Sequence, residues 1–325
     1  MRNTLGQLHY VIYGAGAIGG TIGVRLQQQG YLVTLIARGE HGQAIRKRGL
    51  TLIDAQTSVT LPVPTVEHPR EIEIWDKEMV VLMCMKSQHT EAALVDLSQY
   101  APLATPVVCV QNGVANEAIT QRYFPNVYGT VVNLPAMHLE PGEVVTFAQG
   151  HDGILDIGAY PLGSDQLCEQ FAHELSASGF SVRADQNIMR WKYAKLLMNL
   201  GNVMQAGFAP GVDFSGVVKE ARREAHACYE AAGIDCADRD AVAARRDGLE
   251  IAQVPGVERV AGSSWQSLSR GTGNIETEYL NGEICLLGRR YHVPTPINER
   301  CVRMARALLA GTAQRSFTLD SFAEL

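Results

Sequence analysis

Three polar side chains in an otherwise apolar stretch mark where this sequence could do chemistry. In Tyr193-Ala194-Lys195-Leu196-Leu197-Met198-Asn199-Leu200-Gly201-Asn202, the residues Lys195, Asn199 and Asn202 recur at i, i+4 and i+7, hence on one helical face. Asn is a poor helix former, and a stripe of lysine and amides among residues dressed for burial is costly unless it lines a polar crevice. A solvated face is the plainer alternative. An ammonium held in such a crevice can protonate an oxygen on which negative charge develops, while the amides orient the molecule bearing it. His89 is a rival acid, although an isolated histidine is more often structural.

A second constellation lies near the N-terminus. The β-type run Tyr10-Val11-Ile12-Tyr13 leads into Gly14-Ala15-Gly16-Ala17-Ile18-Gly19, which opens an amphipathic stretch. A glycine pattern between a strand and a helix is a dinucleotide fingerprint: Gly14 for the tight turn, Gly16 for close approach to the pyrophosphate, Gly19 for packing helix on strand. The next strand, Leu32-Val33-Thr34-Leu35-Ile36, ends in Ala37-Arg38. An NAD-specific protein usually carries Asp or Glu there, whereas a guanidinium suits a 2′-phosphate, so the expected cofactor is NADP; an ordinary loop arginine is the alternative. Hydride transfer from such a cofactor to a carbonyl creates an alkoxide, the oxygen that Lys195 would protonate. Lys86-Ser87 ends the run Met79–Met85, and Gln111-Asn112-Gly113 ends Pro106–Val110. Strand ends of this kind should face the same crevice, beside the nicotinamide half, although Asn-Gly by itself also reads as a turn.

These side chains need a scaffold. From His9 to about Ala184, continuous apolar runs alternate with amphipathic stretches, which predicts a doubly wound, mostly parallel α/β sheet of Rossmann type. The segment Asn133 to Gly158 alternates over short runs and is expected to add antiparallel strands at one edge of that sheet. Beyond Phe180–Ala184 the periodicity turns helical, predicting an all-α domain with helices over Ile188–Gln205, Val217–Ala232, Asp238–Leu249, Asn274–Leu287 and Pro296–Ala310. The expected division is an NADP-binding domain over 1–185 and a helical substrate domain over 186–325. Weak periodicity after Gly311 suggests a partly disordered tail. Glu276 shares a helix face with Tyr279 and Glu283, and Ser263-Ser264 could bind a substrate carboxylate or simply cap a helix.

Composition narrows the partners. A net charge of −6 over 325 residues argues against a surface for nucleic acid, so a small molecule is expected. No apolar run reaches the length of a membrane span and Met1–Gln7 lacks a signal-peptide core, so no membrane association and a cytoplasmic location are expected. Seven scattered cysteines without Cys-x-x-Cys spacing, and histidines without ligand spacing, indicate neither a disulfide framework nor a metal site. The apolar helical half leaves room for a homodimer.

The whole order of these features resembles the ketopantoate reductase (2-dehydropantoate 2-reductase) family. The resemblance spans nearly the whole chain: the Gly-Ala-Gly-Ala-Ile-Gly turn, Lys86-Ser87, Gln111-Asn112-Gly113, Lys195-x-x-x-Asn199, Ser263-Ser264, Glu276, Asn281-Gly282 and Pro294-Thr295-Pro296-Ile297-Asn298. It implies reduction of a small branched 2-keto acid by NADPH on the route to pantothenate. Lys195 then falls on the proton donor. Asn199, Asn202 and Ser264 fall on substrate-binding residues, Asn112 on a residue touching both ligands, Lys86 and Glu276 on residues ordering the nicotinamide end, and Arg38 on the phosphate-binding base. Departures are Tyr193 in place of the usual tryptophan, the second amide at i+7 rather than i+8, no counterpart of a further asparagine near Asp213, and the form Ser-Ser-Trp-Gln-Ser. They leave the reaction class in place and the substrate open. A related dehydrogenase acting on another 2-oxo, hydroxy or amino acid, or a non-catalytic NADP-binding sensor, are the alternatives.

Overall fold

The computed structural model describes residues 6–258, 275–311 and 316–325. Two compact units are present. The first comprises 6–111, 116–189 and 243–258 of the described residues, and the second 112–115, 190–242, 275–311 and 316–325.

The first unit begins β1 (His9–Tyr13), α1 (Ala17–Gln28), β2 (Leu32–Ile36), α2 (Gly39–Arg48), β3 (Leu50–Ile53), β4 (Ser58–Leu61), β5 (Thr65–Val66) and β6 (Met79–Met83). It continues through α3 (Thr90–Leu97), β7 (Val107–Cys109), α4 (Asn116–Thr120), β8 (Val127–Asn133), β9 (Ala136–His138), β10 (Glu143–Thr146), β11 (Ala148–Gln149), β12 (Ile154–Ala159) and α5 (Gln166–Ala177). The main sheet runs β12-β8-β7-β6-β1-β2-β5, with every pairing parallel except β12 on β8. β1 shows why it sits at the centre. Tyr10 and Ile12 enter one apolar cluster while Val11 and Tyr13 enter the other, so a strand without polar alternation is buried on both faces.

Only part of the 133–158 segment joins that sheet. β12 forms its antiparallel edge, but β9 and β10 leave to build a second sheet, β4-β3-β10-β9. α1 is held between the two. A Cβ on Gly23 would come within 3.0 Å of Leu35 in the main sheet, and one on Gly20 within 3.0 Å of Val144 in the small sheet. The stretch 243–258, expected to be helical to Leu249, returns to the first unit and adds β13 (Glu250–Ile251) against β11. Its anchor is buried: Arg245 grips Asp156 at 2.7 and 2.6 Å and donates twice to Ser181.

The second unit is helical: α6 (Ile188–Asn199), whose first two residues belong to the first unit, then α7 (Asn202–Gly207), α8 (Ser215–Ala232) and α9 (Arg239–Arg246), whose last turn belongs to the first unit, followed by α10 (Asn281–Tyr291), α11 (Pro296–Leu309) and α12 (Leu319–Ala323). Two expectations are corrected. The helix expected over Ile188–Gln205 breaks at Leu200-Gly201. The one expected over Asn274–Leu287 begins as a 3-10 turn at Glu276–Tyr279 before α10. Within the tail, Phe317 and Phe322 pack with Phe208 and Met304, and a Thr318–Ser321 capping box starts α12. No described helix is long and apolar enough to cross a membrane.

Candidate functional site

Parallel registry fixes the candidate residues of the first unit. Tyr13 pairs with Ile36 on one side and Met83 on the other, and Met83 pairs with Cys109. The segments that leave these strands, Gly14–Gly19, Ala37-Arg38, Cys84–Ser87 and Val110-Gln111, therefore emerge in one row at the carboxyl edge. The connections turn in opposite directions on either side of β1, the arrangement at which open α/β sheets bind ligands.

The three glycines differ in what they permit. Gly14 has φ of 101°, and a Cβ there would lie 2.9 Å from the Met85 amide nitrogen. A Cβ on Gly19 would overlap the Gly14 carbonyl and approach Ile12 at 2.8 Å. At Gly16 a Cβ would meet nothing within 4 Å, so the missing side chain there leaves room for a ligand rather than for the fold. Gly16 caps α1, whose first turn has no side-chain cap and no acidic residue, a helix end suited to an anion. A recess of about 130 Å³ beside it is lined by Gly14, Ala37, Arg38, His41 and His89, with the Arg38 side chain exposed at the start of α2. These residues fit a nicotinamide dinucleotide. His89, considered as an acid, is part of this recess.

Below Lys86 runs a buried polar chain that the sequence did not disclose. Gln111 Nε2 donates to the Met85 carbonyl and to Thr90 Oγ1, Thr90 donates to Asn116 Oδ1, and Asn116 Nδ2 donates to Ser87 Oγ. Its members are buried, so it locks the backbone on both sides of Lys86. His41 was likewise missed. Its Nε2 lies 2.7 Å from the Ala15 carbonyl, and burial holds its imidazole below the ordinary histidine pKa, against the opposing effect of that hydrogen bond. Its partners His138 and Gly142 lie far along the chain, beyond any local signal.

The helical unit carries its own candidate residues. Lys195 is half-buried on α6, and one turn later the buried Asn199 donates from Nδ2 to Asn112 Oδ1 at 3.0 Å. Gly113, at φ of 81°, allows that strand end to approach: a Cβ would lie 2.9 Å from the carbonyl of Tyr279. The 3-10 turn bearing Glu276 thus packs against Asn112-Gly113. Asn202 does not continue the stripe. Asn281 Nδ2 captures the Leu200 carbonyl at the end of α6, and Asn202 opens α7, so the shared helical face holds for Lys195 and Asn199 alone. Asn281 also donates to Asn298, which bonds Glu224, whose carboxylate receives the Ile297 and Asn298 amides. The Asn281 and Pro296–Asn298 segments therefore fix where α6 ends. Ser263 and Ser264 lie outside the described residues. Among the described residues no group of three His, Cys, Asp or Glu is placed to hold a metal.

Residues 10–161 match the family model described as Ketopantoate reductase PanE/ApbA, and residues 187–309 match its C-terminal counterpart. The chain belongs to the ketopantoate reductase family. A 2-dehydropantoate 2-reductase from Archaeoglobus fulgidus is 27% identical over 309 residues, covering 92% of this chain and 97% of that enzyme. Other relatives of that name are matched over 60% of their length. The crystal structure of a PanE/ApbA family ketopantoate reductase from Ralstonia eutropha JMP134 superposes with a TM-score of 0.77 at 26% identity, over 94% of this chain and 99% of that one. A D-mandelate dehydrogenase with NADH and anilino(oxo)acetate gives a TM-score of 0.79 at 24% identity, with the same coverage, a likeness of fold. Membership of the ketopantoate reductase family makes this chain a nicotinamide-dependent oxidoreductase acting on a CH–OH group.

Proposed function

We propose that this family member reduces a small branched 2-keto acid to the 2-hydroxy acid with NADPH, the substrate being 2-dehydropantoate, the product pantoate, and Lys195 the proton donor. The observation that carries the proposal is the Asn199–Asn112 hydrogen bond, which gathers two amides one turn from a half-buried lysine on the same helix. When bound, the reduced nicotinamide supplies a hydride for C2 of the keto acid. Lys195 Nζ gives a proton to the carbonyl oxygen as it becomes an alkoxide, which completes the alcohol. Asn112, Asn199 and Ser264 orient the acid. The backbone of Gly14–Gly19 takes the pyrophosphate, Arg38 the 2′-phosphate, and Lys86 and Glu276 order the nicotinamide end.

The test is loss of NADPH absorbance with 2-dehydropantoate, other branched 2-keto acids and benzoylformate, with NADH in parallel. 2-Dehydropantoate should give the highest kcat/KM. Lys195→Ala should lose about 10²- to 10⁴-fold in kcat, the range of a general acid, while binding NADPH as the parent does. Preference for benzoylformate would reassign the substrate, and an unimpaired Lys195→Ala would remove the proton donor. NADPH binding without turnover of any acid would make the chain a sensor.

A further inference from the structure

Resting on the proposed use of NADPH, we propose that His41 is a positioning residue that sets the phosphate-facing peptide of the glycine turn. Its tautomer is decided by geometry. Nδ1 is 2.9 Å from the Gly142 amide nitrogen, and a backbone amide can only donate, so Nδ1 carries no proton. The proton of the neutral ring is then on Nε2, 2.7 Å from the carbonyl of Ala15, a group that can only accept. His138 approaches the same Nδ1 through its Nε2 at 3.0 Å, with the two rings edge to face. The imidazole is thus clamped on one side by the small sheet and its β9–β10 turn, and on the other it holds the middle of the glycine turn.

The consequence follows from peptide geometry. In a trans peptide C=O and N–H point in opposite directions. Holding the Ala15 carbonyl toward His41 turns the Gly16 amide away from it. Gly16 is the glycine of the turn around which a Cβ would find open space, at the start of a helix that lacks any side-chain cap. His41 also lies three residues after Arg38 and lines the same recess, so one turn of α2 carries both the guanidinium and the ring that aims the backbone donor. The second sheet thereby becomes a support for cofactor binding.

Glutamine and methionine are nearly isosteric and differ in the amide, which lets the donor be removed without removing volume. His41→Gln can still donate to the Ala15 carbonyl; His41→Met cannot. Binding of NADPH to each full-length protein, read by fluorescence without substrate, should show Kd raised about tenfold in His41→Met, the scale of one lost hydrogen bond, and within about threefold of the parent in His41→Gln. Thermal melts identify a variant that fails to fold; should His41→Met do so, His41→Asn replaces it, one methylene too short to reach. Equal Kd values for the donor-less variant and the parent, or equal losses in both variants, would overturn the inference. A parent protein that does not bind NADPH would instead overturn the proposed function, and this inference with it.

Discussion

Asn199 donates to Asn112 across 87 residues of sequence, at 3.0 Å, within the helical unit. Asn199 is 7% exposed and Asn112 half-buried, so the pair sits at the edge of the buried interior. Asn199→Ala should lower kcat/KM by about tenfold, the scale of one lost hydrogen bond. Because the two amides act as one unit, adding Asn112→Ala should cost less than its effect alone. A double-mutant cycle on kcat/KM checks this, and strictly additive losses would separate the pair.

Arg38 stands exposed at the recess beside the glycine turn. Arg38→Asp replaces a bidentate phosphate donor with a like charge. The ratio of kcat/KM for NADPH over NADH should fall by roughly a hundredfold or more, about two charge-assisted hydrogen bonds. Retained preference for NADPH would place the 2′-phosphate elsewhere.

Arg245 and Asp156 form a buried pair, 7% and 5% exposed at their side chains. Arg245→Met leaves the carboxylate without its cation and should cost about 3–5 kcal/mol, whereas Arg245→Met with Asp156→Leu should recover most of it. Urea midpoints measure both. A small loss in the single variant would mean that the strap 243–258 is held by its β13 pairing instead.

Acid should loosen the first unit. His9 and His41 are both pushed below the ordinary histidine value by burial, His9 against a nearby Asp76. As pH falls below about 6.5 the unfolded chain takes up protons first, so stability is retained above that value and lost progressively down to the depressed folded values. Melting temperatures from pH 7.5 to 5 should fall less steeply in His41→Gln than in the parent. Parallel curves would show that His41 contributes nothing to the acid sensitivity.

Much of this protein could be read from neighbouring residues alone. The unbroken apolar runs of β1 and β6 call for a covered parallel sheet, and the constraints on Gly14 and Gly19 arise within a few residues of each. The spacing of Lys195 and Asn199 is a property of one helical turn. Asn202 misled because the break after Asn199 is imposed by Asn281, 81 residues from Leu200. Periodicity reports which face of a segment is apolar, not where a distant side chain will capture a carbonyl.

The same limit governs the rest. That β9 and β10 desert the main sheet for β3, that residues 243–258 return to it through Arg245, and that His41 meets Ala15, Gly142 and His138 are decisions made by partners far apart in the chain. Local propensity therefore determined the βαβ cofactor motif and the lysine helix. Tertiary structure alone decided which buried polar groups would satisfy one another, because an unpaired group inside the protein costs more than any local preference it overrides.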